Sequence, residues 1–222
     1  MAAIACAAAG ATLTGCQLWA LAGGAAQNFE YQKKIEVLAE YQGLQDKKVA
    51  ILIDMDPALS YEFAGLDFTI ADMCARRIAE NVPGALVVNP RYVIDWQYRT
   101  PQWNAMGYGD IAEMMGVDRI VHVDLYEYRL NPPGNRFEWE GVIGAYVNVL
   151  EADGFDPDIY AATFDVSATF PDETGVPIDA VDGEDVATVL VNRFARDTAW
   201  LFYDHVEPKY PDKYRPELDN QS

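Results

Sequence analysis

Three stretches of the chain alternate apolar with polar side chains, and this pattern narrows the available folds more than any other feature. Val121, Val123 and Leu125 fall on one side of an extended chain, with His122, Asp124, Tyr126 and Tyr128 on the other. Ile143, Ala145, Val147 and Val149 repeat the pattern against Tyr146 and Asn148. Phe164, Val166, Ala168 and Phe170 repeat it against Thr163, Asp165, Ser167 and Thr169. Successive side chains of a strand point to opposite faces, so three such runs predict an antiparallel meander with one buried face.

The segments before and after the meander follow other periods. Residues 49–53 are continuously apolar, as in a strand covered on both faces. Asp67 can cap a helix in which Ile70, Met73, Cys74 and Ile78 recur at helical spacing, and Pro83 and Gly84 stop it. Residues 85–88 read as a second strand, so this unit predicts a right-handed parallel crossover. Residues 90–98 and 110–115 predict short helices, the second ended by Gly116 as a left-handed cap. Residues 184–203 carry a stripe of Ala187, Leu190, Val191, Phe194, Thr198 and Leu201. Tyr31, Ile35, Leu38 and Ala39 predict an amphipathic helix over 30–41. The expected fold is α/β (α+β): a mixed five-stranded sheet, one parallel strand-helix-strand crossover followed by a three-stranded antiparallel meander, with helices mainly on one face.

The amino terminus reads as an export signal. Residues 1–15 hold no charge and are mainly Ala, and apolar stretches ending in small residues mark such signals. Leu13-Thr14-Gly15-Cys16 resembles a bacterial lipobox, which implies cleavage before Cys16 and lipid on that cysteine. Gln17 follows where an Asp would imply retention at an inner membrane, so the expectation is a lipid-anchored protein on the periplasmic face of the outer membrane. The predicted organisation is a signal peptide over 1–15, a lipidated tether over 16–29, one periplasmic domain over 30–207 and an extended tail over 208–222.

Charge removes other partners. Sixteen basic and 35 acidic residues give a net charge of −19, none of it upstream of Cys16. Counterion release on nucleic acid needs clustered Lys and Arg, and attraction to anionic lipid needs the same, so no nucleic acid is expected and the membrane is reached only through lipid on Cys16. Of three cysteines, Cys6 lies in the leader and Cys74 on a predicted buried helix face, which leaves no disulfide framework and no C-x-x-C pair.

The order of elements resembles the periplasmic domain shared by curli-secretion-type lipoproteins, the lipoprotein activators of penicillin-binding proteins and the amino-terminal domain of TolB. The resemblance is carried by the first strand from Val49 to Asp54 and by the passage from Ile111 through Gly116, Val117 and Asp118 to Val121. Asp54-Met55-Asp56-Pro57 stands where that family often has a Pro-Phe pair. Glu80-Asn81-Val82-Pro83-Gly84 and Trp200-Leu201-Phe202-Tyr203 are similar to uncharacterised lipoproteins of planctomycete-type bacteria. These resemblances imply a non-catalytic module that acts by binding and assembly, with an envelope protein or another copy as partner.

Candidate chemistry is sparse. Asp54 and Asp56 after an apolar strand match the place of a phosphatase nucleophile and general acid, but Ala58 breaks that pattern and no Lys lies between Lys48 and Lys209. His122 and Asp124 share a strand face and could hold zinc or act as a base, but two histidines are too few for a His-rich centre. A metal-dependent hydrolase using Asp54, Asp56 or His122 is therefore the alternative to a binding module, and no catalytic residue, cofactor or metal site is assigned. Glu151, Asp153, Asp156 and Asp158 predict a solvated hairpin tip too acidic to enter a bilayer, although calcium remains open for it. The polar side of the meander, with Tyr126, Tyr128, Trp139 and Tyr146, is the candidate interaction face.

Overall fold

The computed structural model describes residues 31–214. The expectations for the leader, for Cys16 and for the tether over 16–29 lie outside the described residues. The chain divides into two compact units, one spanning Leu38–Asp204 and the other formed by the segments flanking it.

In the flanking unit, strand β1 (Lys34–Val37) pairs antiparallel with β9 (His205–Pro208), from Lys34 opposite Pro208 to Val37 opposite His205. The middle of the segment 30–41, expected to be helical, is thus a strand. Ile35 is 44% exposed, so the helical stripe had no core to enter. The backbone groups of this segment are satisfied instead by a strand near the other end of the chain.

In the larger unit, β2 (Lys48–Met55) is parallel to β3 (Leu86–Val87) on one side and to β4 (Arg119–Arg129) on the other. The meander continues with β6 (Gly141–Glu151) and β7 (Tyr160–Phe170), giving the order β3-β2-β4-β6-β7. A second small pair joins β5 (Glu138–Trp139) to β8 (Val176–Pro177). The mixed five-stranded α+β architecture read from the sequence is the one observed, but its helices lie on both faces rather than mainly on one. No helix among the described residues is long and apolar enough to cross a membrane.

The two longest helices, α2 (Leu66–Asn81) and α5 (Gly183–Trp200), bury their apolar stripes on one face of the sheet. Ile70, Cys74 and Ile78 of α2 and Leu190, Phe194 and Ala195 of α5 meet Val49, Ile51, Val121, Val123, Val147 and Val149 there. Burying a side chain such as Phe194 contributes about 1.5–3 kcal/mol. Asp182 caps α5 by accepting from the Glu184 amide at 2.8 Å, and Glu184 and Asp185 complement the helix dipole.

On the opposite face, α3 (Pro90–Arg99), a 3₁₀ turn at Trp103–Ala105 and α4 (Tyr108–Met115) form a smaller core. Val93, Trp103, Ile111, Ala112 and Met115 pack there on Ala50, Leu52, Ile120 and Leu150. Gly116 ends α4 at φ 59°, the left-handed cap expected of it. A helix not expected from the sequence, α1 (Pro57–Glu62), follows β2 directly; Asp56 caps it from the N-cap position and Pro57 starts it. This second layer covers β2 and the adjoining ends of β4 and β6. Beyond it, Asp124, Tyr126, Tyr146, Thr163, Asp165 and Ser167 face outward without a covering helix among the described residues.

Candidate functional site

The sheet face under this second layer and beyond it is built in registered rows. One row runs Leu52, His122, Asn148, Thr163 across β2, β4, β6 and β7, and the next runs Asp54, Asp124, Tyr146, Asp165. Three of the four positions in the second row are therefore carboxylates, Asp54 and Asp124 on neighbouring strands and Asp165 two strands beyond Asp124, across Tyr146.

A β-bulge in β4 shifts the alternation of its last residues. Leu125 pairs with Ala145 and Glu127 with Gly144, so Tyr126 is the extra residue and the alternation changes phase after it. Tyr128 consequently points into the main core, 6% exposed, with its ring 4.6 Å from that of Phe63. The expectation that Tyr128 shares a solvent face with Tyr126 is corrected by this bulge, and burial pushes the Tyr128 phenol up to about 12.

Tyr126 and Tyr146 remain outside, 47% and 45% exposed, with ring centroids 5.1 Å apart. The Tyr126 hydroxyl donates to Asp165 Oδ1 at 2.8 Å. That bond, with some burial and the neighbouring Asp165 charge, holds the phenol at about 12. Gly144 makes the arrangement possible, because a Cβ there would lie 2.5 Å from the Tyr126 ring. Gly144→Ala is expected to swing the ring off the sheet, break its bond to Asp165 and return the phenol toward the ordinary value of about 10. A pH titration of the Tyr126 Cζ resonance checks this, and an unmoved titration would show that the ring does not depend on Gly144.

Trp139 is not part of this pair. It lies on β5, donates its indole N–H to the Val181 carbonyl at 3.0 Å and packs where a Gly183 Cβ would meet its ring at 2.8 Å. Its place in the expected face is corrected: the indole closes the loop leading into α5.

Between the bare sheet and α4 lies a group that sequence spacing did not join. His122 is 4% exposed, and its Nδ1 is 3.4 Å from the Tyr108 hydroxyl and 3.5 Å from that of Tyr160. The two hydroxyls are 3.1 Å apart. Its Nε2 is buried without a hydrogen-bond partner, 3.9 Å from Asp54 Oδ2. Tyr108 titrates well above the ordinary tyrosine range, first through burial and then through its bond to Tyr160. Asn148 accepts from Thr163 at 2.8 Å beside it. Tyr108 and Tyr160 come from segments far from His122 in sequence, and the only local signal was the aromatic residue at each strand or helix start.

The other candidates are dispersed. Asp56 spends Oδ1 on the Ala58 amide at 2.7 Å, as the cap of α1. Among the described residues no group of three or more His, Cys, Asp or Glu could hold a metal ion. The acidic hairpin is divided as well. Asp153 pairs with Lys47 and Arg119, Glu151 accepts from the Tyr41 hydroxyl, Asp156 turns its own loop and Asp158 accepts from the Gly109 amide. The expectation of a wholly solvated tip is therefore corrected: its charges are used to fasten the hairpin to α4, β4 and the segment before β2.

No protein-family model matches this chain, and no curated protein matches it. Among solved structures it is similar to the PelC dodecamer from Paraburkholderia phytofirmans, with a TM-score of 0.40 at 12% identity over 77% of this chain and 98% of that one. It is also similar to lipoprotein GNA1162 from Neisseria meningitidis, with a TM-score of 0.41 at 12% identity over 67% and 98% of the two chains. Uncharacterised lipoprotein B from Nitrosomonas europaea gives 0.36 at 14% identity over 73% and 84%.

Proposed function

We propose that this chain is a lipid-anchored lipoprotein of the cell envelope, on the periplasmic face of the outer membrane. Its acidic domain binds a protein partner there, another envelope protein or a second copy of itself. The anchor rests on the lipobox-like Leu13-Thr14-Gly15-Cys16. The binding role rests on one observation: the exposed Tyr126 and Tyr146 rings, side by side on the part of the sheet that the described helices leave bare. Tyrosines combine apolar area with a hydroxyl and few rotatable bonds, which suits them to a surface that must be soluble alone and sticky in a complex. The surrounding Asp124 and Asp165 favour a basic partner surface, since opposite potentials steer association.

Replacing Tyr126 and Tyr146 together by Ala is expected to weaken partner capture from solubilised envelopes by about tenfold or more, at unchanged circular dichroism. Unchanged capture would remove this face from consideration. Phosphoester turnover with added magnesium that disappears in Asp54→Asn would replace the binding reading by a hydrolytic one. For the anchor, mass spectrometry of the native chain is expected to find an acylated Cys16 at the amino terminus, and an intact, unacylated Met1 would overturn it.

A further inference from the structure

At the carboxyl ends of β2 and β3 the chain leaves the sheet on opposite sides. After β2 it enters α1 and α2, whose apolar stripe lies on the main core, and after β3 it enters α3, which reaches the opposite core with Val93 while Ile94 still touches the main one. Open α/β sheets leave a crevice where neighbouring parallel strands diverge in this way. Here the crevice is a cleft of ≈ 120 Å³ lined by Asp54, Ser60, Asp67, Gln97, Tyr98 and Trp103 among others.

The polar groups of this cleft are mismatched in one direction. Gln97 is 7% exposed and donates its Nε2 to the Ile53 carbonyl at 2.9 Å. A carbonyl can only accept, so this bond fixes the amide orientation and leaves Oε1 as a buried acceptor with no partner. Asp67 is 8% exposed and already receives the Phe68 amide and the Tyr98 hydroxyl, one at each oxygen. Asp54 adds a second carboxylate, and among the described residues no Lys or Arg lines the cleft. A buried acceptor without a donor is costly, and a ligand carrying N–H groups would recover that cost.

The geometry points to a binding site for a primary ammonium group. Such a group brings three donors and a positive charge to two carboxylates and an orphan carbonyl. The rings of Trp103 and Tyr98 in the wall suit an organic cation, which is attracted to aromatic faces. A calcium or magnesium ion fits less well, since it needs about six oxygen ligands, and among the described residues no group of three or more His, Cys, Asp or Glu could hold one. The volume equals that of about four water molecules, room for an ammonium and two or three methylenes. The source is a free alkylamine or the end of a lysine side chain. This site is separate from the Tyr126–Tyr146 face, and its test does not depend on partner capture.

The full chain, labelled with ¹⁵N, is titrated with ethylammonium, ethanol, Nα-acetyl-lysine amide, magnesium and calcium while the Gln97 side-chain amide and Trp103 indole resonances are followed. The expected result is saturable movement of both resonances with ethylammonium and none with ethanol. Asp54→Asn is expected to weaken binding by about tenfold and Ser60→Ala by less, each variant showing its fold in the same spectrum. Acetyl-lysine amide binding as well as ethylammonium assigns a lysine side chain as a ligand, and its exclusion assigns free amines. Absence of saturation with ethylammonium, an equal response to ethanol, or tighter saturation by either metal ion would overturn the proposal.

Discussion

Alkylation of Cys74 by iodoacetamide is expected to proceed at least about a thousandfold more slowly in the folded protein than in denaturant, read by peptide mass mapping at that residue. The thiol sits on α2, 1% exposed, with its Sγ 3.9 Å from the Ala195 carbonyl of α5. Burial pushes it from the ordinary 9.0 up to about 12, against the opposing pull of Arg77. The reagent needs a thiolate it can reach, and the native helix pair supplies neither access nor ionisation. Labelling must therefore wait for α2 and α5 to separate, so its rate reports how often the main core opens. The sign in alkali comes from the same shift. A pKa raised in the fold leaves the thiol's contribution to stability whole below about 9, and that contribution is lost as pH rises toward 12. A native labelling rate within tenfold of the denatured one would mean that this helix interface is loose.

The meander was legible because each of its strands carries its own evidence: alternation is a local property, and Val121, Val123, Ile143, Val147, Val166 and Ala168 all face the core as their spacing implies. The bulge at Tyr126 was not, because it is defined by two strands and leaves no mark on one. Its effect is to keep Tyr126 outside while turning Tyr128 inside, which alternation alone cannot do. β1 was missed for the related reason that its partner β9 lies near the other end of the chain, and four largely exposed residues show no period of their own. For α1 the signal was present: Asp56 followed by Pro57 is a cap and a first helical residue, a pair that also suits a turn. The His122, Tyr108 and Tyr160 group joins β4, α4 and β7, and only the register of the sheet brings these together.

Arg119→Met is expected to destabilise the fold by about 2–3 kcal/mol in urea denaturation, well above an ordinary surface ion pair. The Arg119 side chain is only 7% exposed, and it donates to the Gly43 carbonyl at 3.1 Å and the Asp118 carbonyl at 2.8 Å while pairing with Asp153. Glu151 lies 3.9 Å away and is itself held by the Tyr41 hydroxyl at 2.5 Å. One guanidinium thus fastens the start of β4 to the segment before β2 and to the β6–β7 hairpin. The methionine keeps the apolar stem and removes the charge and its donors. The cost stays below that of breaking a fully buried pair, because the Glu151 and Asp153 side chains are 31% and 52% exposed and can turn to water. The pH dependence separates this account from a simple packing defect. Lys47 and then Arg119 hold the Asp153 carboxyl at about 2, so its contribution is complete above the unfolded value of about 4 and is lost as pH falls toward 2. In Arg119→Met only Lys47 remains, at 2.7 Å, and the acid limb of the stability curve should flatten. A loss below about 0.5 kcal/mol with an unchanged acid limb would show that the hairpin is held by its backbone pairing alone.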